Sequence, residues 1–399
     1  MVQVDSKAGG VSGSNRDDLR KSNLSTLLRL VYRNGSLPRT ELTAQTGLNR
    51  STISDLVSQL ERLGLVKESE IVPDGKKGRP SSLVSITDDL VALSVTPLHH
   101  STQVAAVTMQ NEVIHRETVA TQINPSPDQV CSAVITAVEQ IKKKLTKSQK
   151  IIGVAVAISG QVDILHNSIR IFSMLRWNDV PFGEMLAARI NLPVRVDNDG
   201  TIACLAESTF GAGRGFEDII YLFGGQGGIG GGIVMGGRLI RGSRGFAGEL
   251  GHLHISDSKT ADSLGLPGTL EALVRRDDLV ETLGLDDPDD QELAKTILNA
   301  QSARGNRLIN RKVNSLAIGI ANLANIFNPQ VVLLAGFLEP LYEVNDYALL
   351  KQIRRYAVAG AREHVQVRTA KLGARILEIG CAQLVFNDFL EDPLGALKS

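Results

Sequence analysis

The chain has 399 residues, of which 43% are hydrophobic and 22% charged, and its formal net charge is zero. This composition is that of a soluble globular protein, and the length predicts two or three domains. No apolar run approaches the roughly 18 residues that a membrane span needs. Residues 1–10 lack the apolar core of a signal peptide, so we expect a cytoplasmic protein.

The distribution of charge and of cysteines indicates the kind of partner and the state of the thiols. Residues 1–86 contain 13 Lys and Arg against 9 Asp and Glu, and the remaining residues contain 30 against 34. The mildly basic N-terminal region is weak evidence for a polyanionic partner. The three cysteines, Cys131, Cys204 and Cys381, are scattered in apolar segments. Such a set favours buried thiols over disulfides or a metal cluster.

Residues 1–15 predict a flexible tail, and residues 16–86 a small domain that begins with three helices. The apolar spacing favours helices over residues 17–33, over residues 39–46, and from the N-cap Asn49 to residue 64. A short glycine turn joins the last two helices, as in a helix-turn-helix, whose second helix enters the DNA major groove. The exposed groove-reading side chains at the start of that helix would be Arg50, Ser51, Thr52 and Ser54.

A wing follows these helices. Residues 65–67 and 83–86 predict two strands around a basic loop that contains Lys76, Lys77 and Arg79. Arg79 between a glycine and a proline would suit a narrow minor groove, where the negative potential is enhanced. The alternative is a generic three-helix module with a solvated loop. Helix, glycine turn, helix and basic wing in this order favour DNA binding.

From residue 88 the pattern changes to strands alternating with helices over about 300 residues, which predicts an α/β architecture with ligands at the strand ends. The predicted strands are residues 91–95, 104–109, 113–119, 151–158, 194–196, 219–223, 230–235 and 331–334. The predicted helices are residues 128–145, 181–190, 201–210, 291–303, 308–326 and 376–389. We expect a first lobe over residues 87–217 and a second over 218–399, whose end packs partly on the first.

A candidate site lies in the second lobe. The glycine-rich run 224–237 is followed by Glu249, His252 and Glu271, while Asn198 and Asp199 end an upstream strand. Two carboxylates and an imidazole separated by glycines supply the acceptors and donors that a ring of hydroxyls needs. The alternative is that the glycines only make turns and that Glu-x-x-His is surface decoration.

These motifs resemble the ROK family of bacterial sugar kinases and sugar-responsive repressors over nearly the whole chain. The specific signature is the glycine run 228–233 with the segment 248–252, and residues 78–80 resemble the wing of the repressor branch. The resemblance implies a winged helix-turn-helix followed by a two-lobed actin-like ATPase fold. It also implies a sugar held by Gly160, Asn198, Asp199, Glu249, His252 and Glu271.

Both phosphate-binding turns of the family's kinases are changed. Where those kinases have Asp-x-Gly-Gly-Thr, residues 96–99 are Thr-Pro-Leu-His, and their Gly-Thr-Gly is Gln-Gly-Gly at residues 226–228. Phosphoryl transfer depends on positioning and on electrostatic stabilisation, so these changes remove most of it. We therefore expect that the protein is not an enzyme and that it has no cofactor. Asp199, the base in a kinase, would here accept a hydrogen bond from a sugar hydroxyl.

Many family members also hold a structural zinc with the histidine that matches His252 and with a Cys-x-Cys-Gly-x-x-Gly-Cys run. By spacing, the three cysteines fall on Asp262, Leu264 and Thr269. Leucine cannot ligate and threonine is a poor zinc ligand, so we predict no metal site. We expect His254 to be structural.

The resemblance implies a repressor of carbohydrate-utilisation genes. Winged-helix dimers would bind a palindromic operator, and a sugar or sugar phosphate in the interlobe cleft would shift the placement of the DNA-binding heads. The expected partners are operator DNA, this effector and a second copy, in a homodimer or a dimer of dimers, with no membrane. One alternative is an ATP-dependent sugar kinase with a regulatory head, and another is a DNA-binding protein with a vestigial sugar site. The sugar, the operator sequence and the direction of the response stay open.

Overall fold

The structure is a computed structural model that describes residues 16–70 and 82–396. Two compact units make up this part of the chain. One contains residues up to Leu90 together with those from Phe386 onwards, and the other contains Val91–Val385. Among the described residues, no helix is long and apolar enough to cross a membrane.

The first unit is built from three helices and a three-stranded antiparallel sheet of order β1-β3-β2. Its elements are α1 (Arg16–Asn34), β1 (Ser36–Pro38), α2 (Arg39–Thr46), α3 (Arg50–Arg62), β2 (Val66–Glu70) and β3 (Ser82–Ile86). The three helices and the two wing strands lie where the sequence predicts them. The short edge strand β1 was not predicted, and it tolerates Pro38 because an edge strand can lack one backbone donor.

Local signals set the limits of the two helices of the helix-turn-helix. Gly47 ends α2 in the left-handed conformation, at φ +68°, and its N–H donates to the carbonyl oxygen of Thr43. Asn49 begins α3, because its side chain accepts a hydrogen bond of 2.8 Å from the N–H of Thr52. The face of α3 that packs inward consists of the buried residues Ile53, Leu56, Val57 and Leu60.

The second unit begins with a five-stranded sheet of order β11-β7-β4-β5-β6. Its strands are β4 (Leu90–Pro97), β5 (Ser101–Thr108), β6 (Val113–Ala120), β7 (Lys150–Ile158) and β11 (Val194–Asn198). The helices of this part are α4 (Pro127–Lys142), α5 (Phe182–Ile190) and α6 (Asp199–Phe210). A small antiparallel sheet consists of β8 (Gln161–Asp163), β9 (Ser168–Phe172) and β10 (Trp177–Val180).

A second five-stranded sheet follows, of order β14-β13-β12-β15-β16. Its strands are β12 (Ile219–Gly225), β13 (Gly228–Met235), β14 (Arg238–Leu239), β15 (Val331–Gly336) and β16 (Gln366–Thr369). The helices that follow along the chain are α7 (Leu270–Leu273), α8 (Arg276–Leu283), α9 (Asp290–Leu298), α10 (Ala303–Phe327), α11 (Leu338–Val344), α12 (Asp346–Tyr356), α13 (Ala359–His364), α14 (Ile376–Glu391) and α15 (Pro393–Ala396). The end of α14 and α15 belong to the first unit. This is the predicted α/β architecture. The limits of the two lobes stay a prediction, because Val91–Val385 forms one unit.

The end of the chain contributes to the first unit. The ring of Phe386 lies edge-on to that of Tyr32, with 5.8 Å between centroids. The hydroxyl of Ser25 donates to the carbonyl oxygen of Leu390 over 2.5 Å. The last turns of α14 therefore pack on α1, which the sequence did not predict. The three cysteines are buried and free, as predicted.

Candidate functional site

The site begins where two parallel strands end. β7 and β11 run side by side, so the turn after Ile158 and the residues Asn198 and Asp199 meet at one edge of the sheet. The side-chain amide of Asn198 donates to the carbonyl oxygen of Gly160 over 3.0 Å, and its oxygen accepts from the N–H of Thr201. Asn198 thus caps α6 and fixes the turn after β7.

Asp199 lies at the first turn of α6 and faces the same turn. Its carboxylate accepts hydrogen bonds from the hydroxyl of Ser159 and from the N–H of Gly200. Burial raises the pKa of Asp199 in spite of these bonds. A Cβ at Gly200 would lie 2.6 Å from the carbonyl oxygen of Gly231, so only glycine lets α6 approach β13 this closely.

The segment that carries Glu249 and His252 packs against β13. A Cβ at Gly251 would lie 2.0 Å from the carbonyl oxygen of Ile229, and Gly248 has φ +104°. The carboxylate of Glu249 is 39% exposed. Burial raises the pKa of Glu249; His252 opposes the shift, while the carboxylates of Asp199 and Glu271 add to it. The structure therefore brings these acidic groups within electrostatic reach of one another.

His252 stands between two acids. Its Nε2 lies 3.9 Å from a carboxylate oxygen of Glu249, and its Nδ1 lies 2.8 Å from Oδ2 of Asp262. The side chain of Asp262 is fully buried. The imidazole is thus fixed from behind by Asp262 and presents its other nitrogen on the side of Glu249.

Glu271 follows the N-cap Thr269 at the start of α7. One of its carboxylate oxygens accepts from the N–H of Ile229 over 2.8 Å, and the other accepts from the N–H of Ser263 over 2.9 Å. A Cβ at Gly228, which has φ +127°, would lie 2.0 Å from this carboxylate. Each oxygen has a second lone pair that a ligand hydroxyl can use.

Two arginines in the loop before Glu249, which the sequence did not predict to be important, bond to acidic residues of β11 and β8. Arg241 donates to the carboxylate of Asp197 over 2.5 Å, and Arg244 pairs with Asp163. Both acids are almost completely buried. Burial would raise the pKa of Asp163, but the hydrogen bonds from His166 and Arg244 outweigh it and give a pKa of about 2. Burial raises the pKa of Asp197, against the effect of Arg241.

A metal ion would find few free ligands here. His252, Asp262 and Glu271 have ligand atoms within 4.8 Å of one another. The carboxylates of Asp262 and Glu271 already accept hydrogen bonds from protein donors, and the sequence has no cysteine between Cys204 and Cys381. This oxygen-rich, occupied set does not fit the four nitrogen and sulfur ligands of a structural zinc.

The two altered phosphate turns lie in hairpins. Residues 98–100 join β4 to β5, where the N–H of Leu98 donates to the carbonyl oxygen of Ser101 over 2.8 Å. Gln226 and Gly227, both exposed, join β12 to β13. Neither hairpin contains a carboxylate that could hold a metal–phosphate complex.

In the first unit, Arg50 and Ser51 are exposed at the start of α3. Ser54 is half-buried, and its hydroxyl accepts a hydrogen bond of 3.0 Å from Arg39, which also pairs with Glu68. Ser54 therefore already has a partner within the unit, whereas Arg50 is open to a ligand. Thr52 is half-buried beside them. Three other residues predicted to bind DNA, Lys76, Lys77 and Arg79, lie outside the described residues.

Comparisons with known proteins match both parts of the chain. Residues 99–387 match the ROK family, and residues 24–67 match the winged helix-turn-helix DNA-binding family. The xylose repressor of Caldicellulosiruptor bescii is 27% identical, over 94% of this chain and 98% of that protein. The glucokinase of Streptomyces coelicolor is 28% identical, over 65% of this chain and 86% of that protein.

A solved structure has the same fold. The crystal structure of a ROK family transcriptional regulator, a homolog of the E. coli Mlc protein, superposes with a TM-score of 0.78 at 18% identity, over 96% of this chain and 100% of that one. The predicted order of a winged helix-turn-helix followed by a ROK domain is confirmed. The chain belongs to the ROK family.

Proposed function

We propose that the protein is a sugar-responsive transcriptional regulator that represses carbohydrate-utilisation genes. This proposal rests on the combination of three features in one chain. They are a winged helix-turn-helix, a group of neighbouring carboxylates that can accept hydrogen bonds from sugar hydroxyls, and altered phosphate turns. A relative that matches nearly the whole chain is named a xylose repressor, which supports it. The sugar contacts would be Gly160, Asn198, Asp199, Glu249, His252 and Glu271.

The charges of the site favour a neutral sugar over a sugar phosphate. Asp199, Glu249 and Glu271 are acceptors when ionised. Burial raises the pKa of Glu249, and repulsion by the carboxylates of Asp199 and Glu271 adds to this rise. Hydroxyl groups donate to such acceptors, whereas a phosphate would add like charge. We therefore expect D-xylose or D-glucose to bind more tightly than the corresponding phosphate.

DNA binding would use the exposed start of α3 and the wing. A second copy of the chain would supply the other half-site of a palindromic operator. A sugar can shift DNA affinity only to the extent that it binds one state of the protein better than the other. Sugar and operator affinities must then be coupled reciprocally.

The test measures both affinities. DNA that the full chain selects from a random-sequence pool is titrated with and without D-xylose, and a sugar panel is titrated with and without that DNA. Loss of a hydrogen bond to a charged group costs about 1.5 to 3 kcal/mol, so Glu249→Ala should weaken the sugar about 10- to 150-fold while DNA binding persists. Glu281→Ala, on an exposed position of α8, is the matched control. Equal sugar affinities with and without DNA would refute the sensor function.

We also propose that the chain is not a kinase. Neither altered hairpin offers a carboxylate for a metal–phosphate complex, and the first has no glycine. Purified protein should show no ATP turnover that depends on a sugar in a coupled assay. Steady turnover that disappears in Asp199→Asn would establish the alternative, a sugar kinase with a DNA-binding head.

A further inference from the structure

Asp262 gathers more hydrogen-bond donors than a loop residue usually does. Its Oδ2 accepts from the hydroxyl of Thr269 over 2.9 Å and lies 2.8 Å from Nδ1 of His252. Its Oδ1 accepts from the N–H groups of Leu264 over 3.0 Å and Leu266 over 2.9 Å. A carboxylate has about four lone-pair positions, so all of them are used here.

The loop around Asp262 has the two glycines of the zinc run that the family resemblance implies, without its thiols. Gly265 and Gly268, the two glycines of that run, have φ +82° and +69°. A Cβ at Gly268 would lie 1.9 Å from the carbonyl oxygen of Ser256, so this close approach requires glycine. The positions of the three cysteines are occupied by Asp262, Leu264 and Thr269. The hydroxyl of Thr269 donates a hydrogen bond to the carboxylate of Asp262.

The donors around Asp262 favour its ionised form. Burial alone would raise the pKa of Asp262, but the hydrogen bonds from His252, Leu266, Thr269 and Leu264 outweigh it and lower the pKa. An ionised carboxylate only accepts, so Nδ1 of His252 carries the proton of their shared bond. This leaves Nε2 on the side of Glu249.

We propose that Asp262 replaces the structural zinc of its relatives: it is a positioning residue that closes the loop of residues 257–268 and orients His252 without a metal. The same loop carries the N–H of Ser263, which bonds to Glu271. Closing it therefore sets two of the proposed sugar contacts at once. The part of this inference that concerns sugar affinity rests on the proposed function; the part that concerns the loop and the imidazole does not.

The first experiment compares Asp262→Ala and Asp262→Asn with Asp257→Asn, an exposed acid of the same loop that serves as control. Without sugar, ¹⁵N NMR of the imidazoles should show that His252 leaves its single tautomer in Asp262→Ala, and limited proteolysis should cut the loop faster. D-xylose affinity should fall about tenfold or more, which is the range for a lost charge-assisted bond. Asp262→Asn, which retains one acceptor, should lie between Asp262→Ala and the unchanged control.

An unchanged tautomer and unchanged proteolysis in Asp262→Ala would overturn the proposal, whatever happens to sugar binding. If both change and the parent protein binds no sugar, the proposed function fails and the positioning role of Asp262 stands. One zinc per chain in the parent protein, with a loop that EDTA loosens, would also overturn the proposal.

The second experiment restores the thiols. The triple variant Asp262→Cys/Leu264→Cys/Thr269→Cys, with His252, has the ligand set of a Cys₃His site. It should bind one zinc per chain, and zinc should restore the protection of its loop from proteolysis and its D-xylose affinity. The double variant Asp262→Cys/Thr269→Cys, with one ligand fewer, is the control and should bind zinc more weakly. A triple variant that folds but binds no zinc would show that this loop is not the equivalent of the zinc run and would refute the replacement.

Discussion

Loss of Arg241 should destabilise the second unit. Arg241 is 25% exposed and lies 2.5 Å from the carboxylate of Asp197, which is only 3% exposed. Removing one partner of a buried ion pair costs about 3 to 5 kcal/mol, because the other charge stays buried without compensation. Asp197 also accepts from the N–H of Asn198, and the guanidinium is partly solvated, so we expect about 2 to 3 kcal/mol for Arg241→Gln.

The matched control is Arg170→Gln. Arg170 pairs with Asp179, and both side chains are about half exposed or more. Surface pairs of this kind contribute about 0 to 1 kcal/mol. Trp177, the only tryptophan of the chain, is buried in β10 and reports unfolding of its own region by fluorescence in urea.

The pH dependence of the stability of Arg241→Gln provides a second, independent test. Burial raises the pKa of Asp197 and Arg241 opposes this shift, so the variant should have a still higher pKa. An acid with a raised folded-state pKa destabilises the fold above that pKa, and the penalty disappears as the pH falls through it. The deficit of Arg241→Gln should therefore shrink as the pH falls from neutral towards the ordinary pKa of aspartate, about 3.9. Equal urea midpoints for the two variants near neutral pH would refute the reasoning.

Two further predictions concern the glycines and the DNA-binding unit. Gly251→Ala should lower the urea midpoint, since its Cβ would lie 2.0 Å from the carbonyl oxygen of Ile229, whereas Gly227→Ala, with nothing within 4 Å of its Cβ, should differ little from the parent. A midpoint for Gly251→Ala equal to that for Gly227→Ala would contradict this. Arg50→Ala should weaken binding of the selected DNA and leave sugar affinity intact, as measured by fluorescence anisotropy at two salt concentrations, and so should Arg79→Ala outside the described residues. Unchanged DNA affinity at both salt concentrations would exclude these side chains from the interface.

Elements with a strong local signal were predictable from the sequence. The helix over residues 39–46 has the predicted limits because Pro38 precedes it and Gly47 ends it. The apolar run of residues 151–158 predicted the strand β7, which is buried over residues 153–158. These signals lie within a few residues of the element they define.

Short elements and distant pairs were not predictable. β8 to β10 have three to five residues each, too few for a period to be recognised. Arg241 and Arg244 lie 44 and 81 residues from the acids they bind, so no local pattern reveals them. The sequence indicates Asp262 only as one position of a zinc site that lacks enough ligands. Four hydrogen-bond donors surround its carboxylate because of the path of the loop, and the sequence does not specify that path.

The number of sugar hydrogen bonds at the candidate site sets the scale of the proposed response. Asp199 belongs to α6, whereas Glu249 and Glu271 follow β13 and β14, so a sugar that bonds to both groups joins two sheets. Moving a two-state equilibrium from 1:99 to 99:1 needs a differential affinity of about 5.5 kcal/mol. Hydrogen bonds to charged acceptors contribute about 1.5 to 3 kcal/mol each, so about two to four bonds formed in only one state are sufficient. A contact formed equally in both states adds affinity but no response, and for this reason the coupling of each carboxylate variant, more than its sugar affinity, identifies the residues that make the protein a sensor.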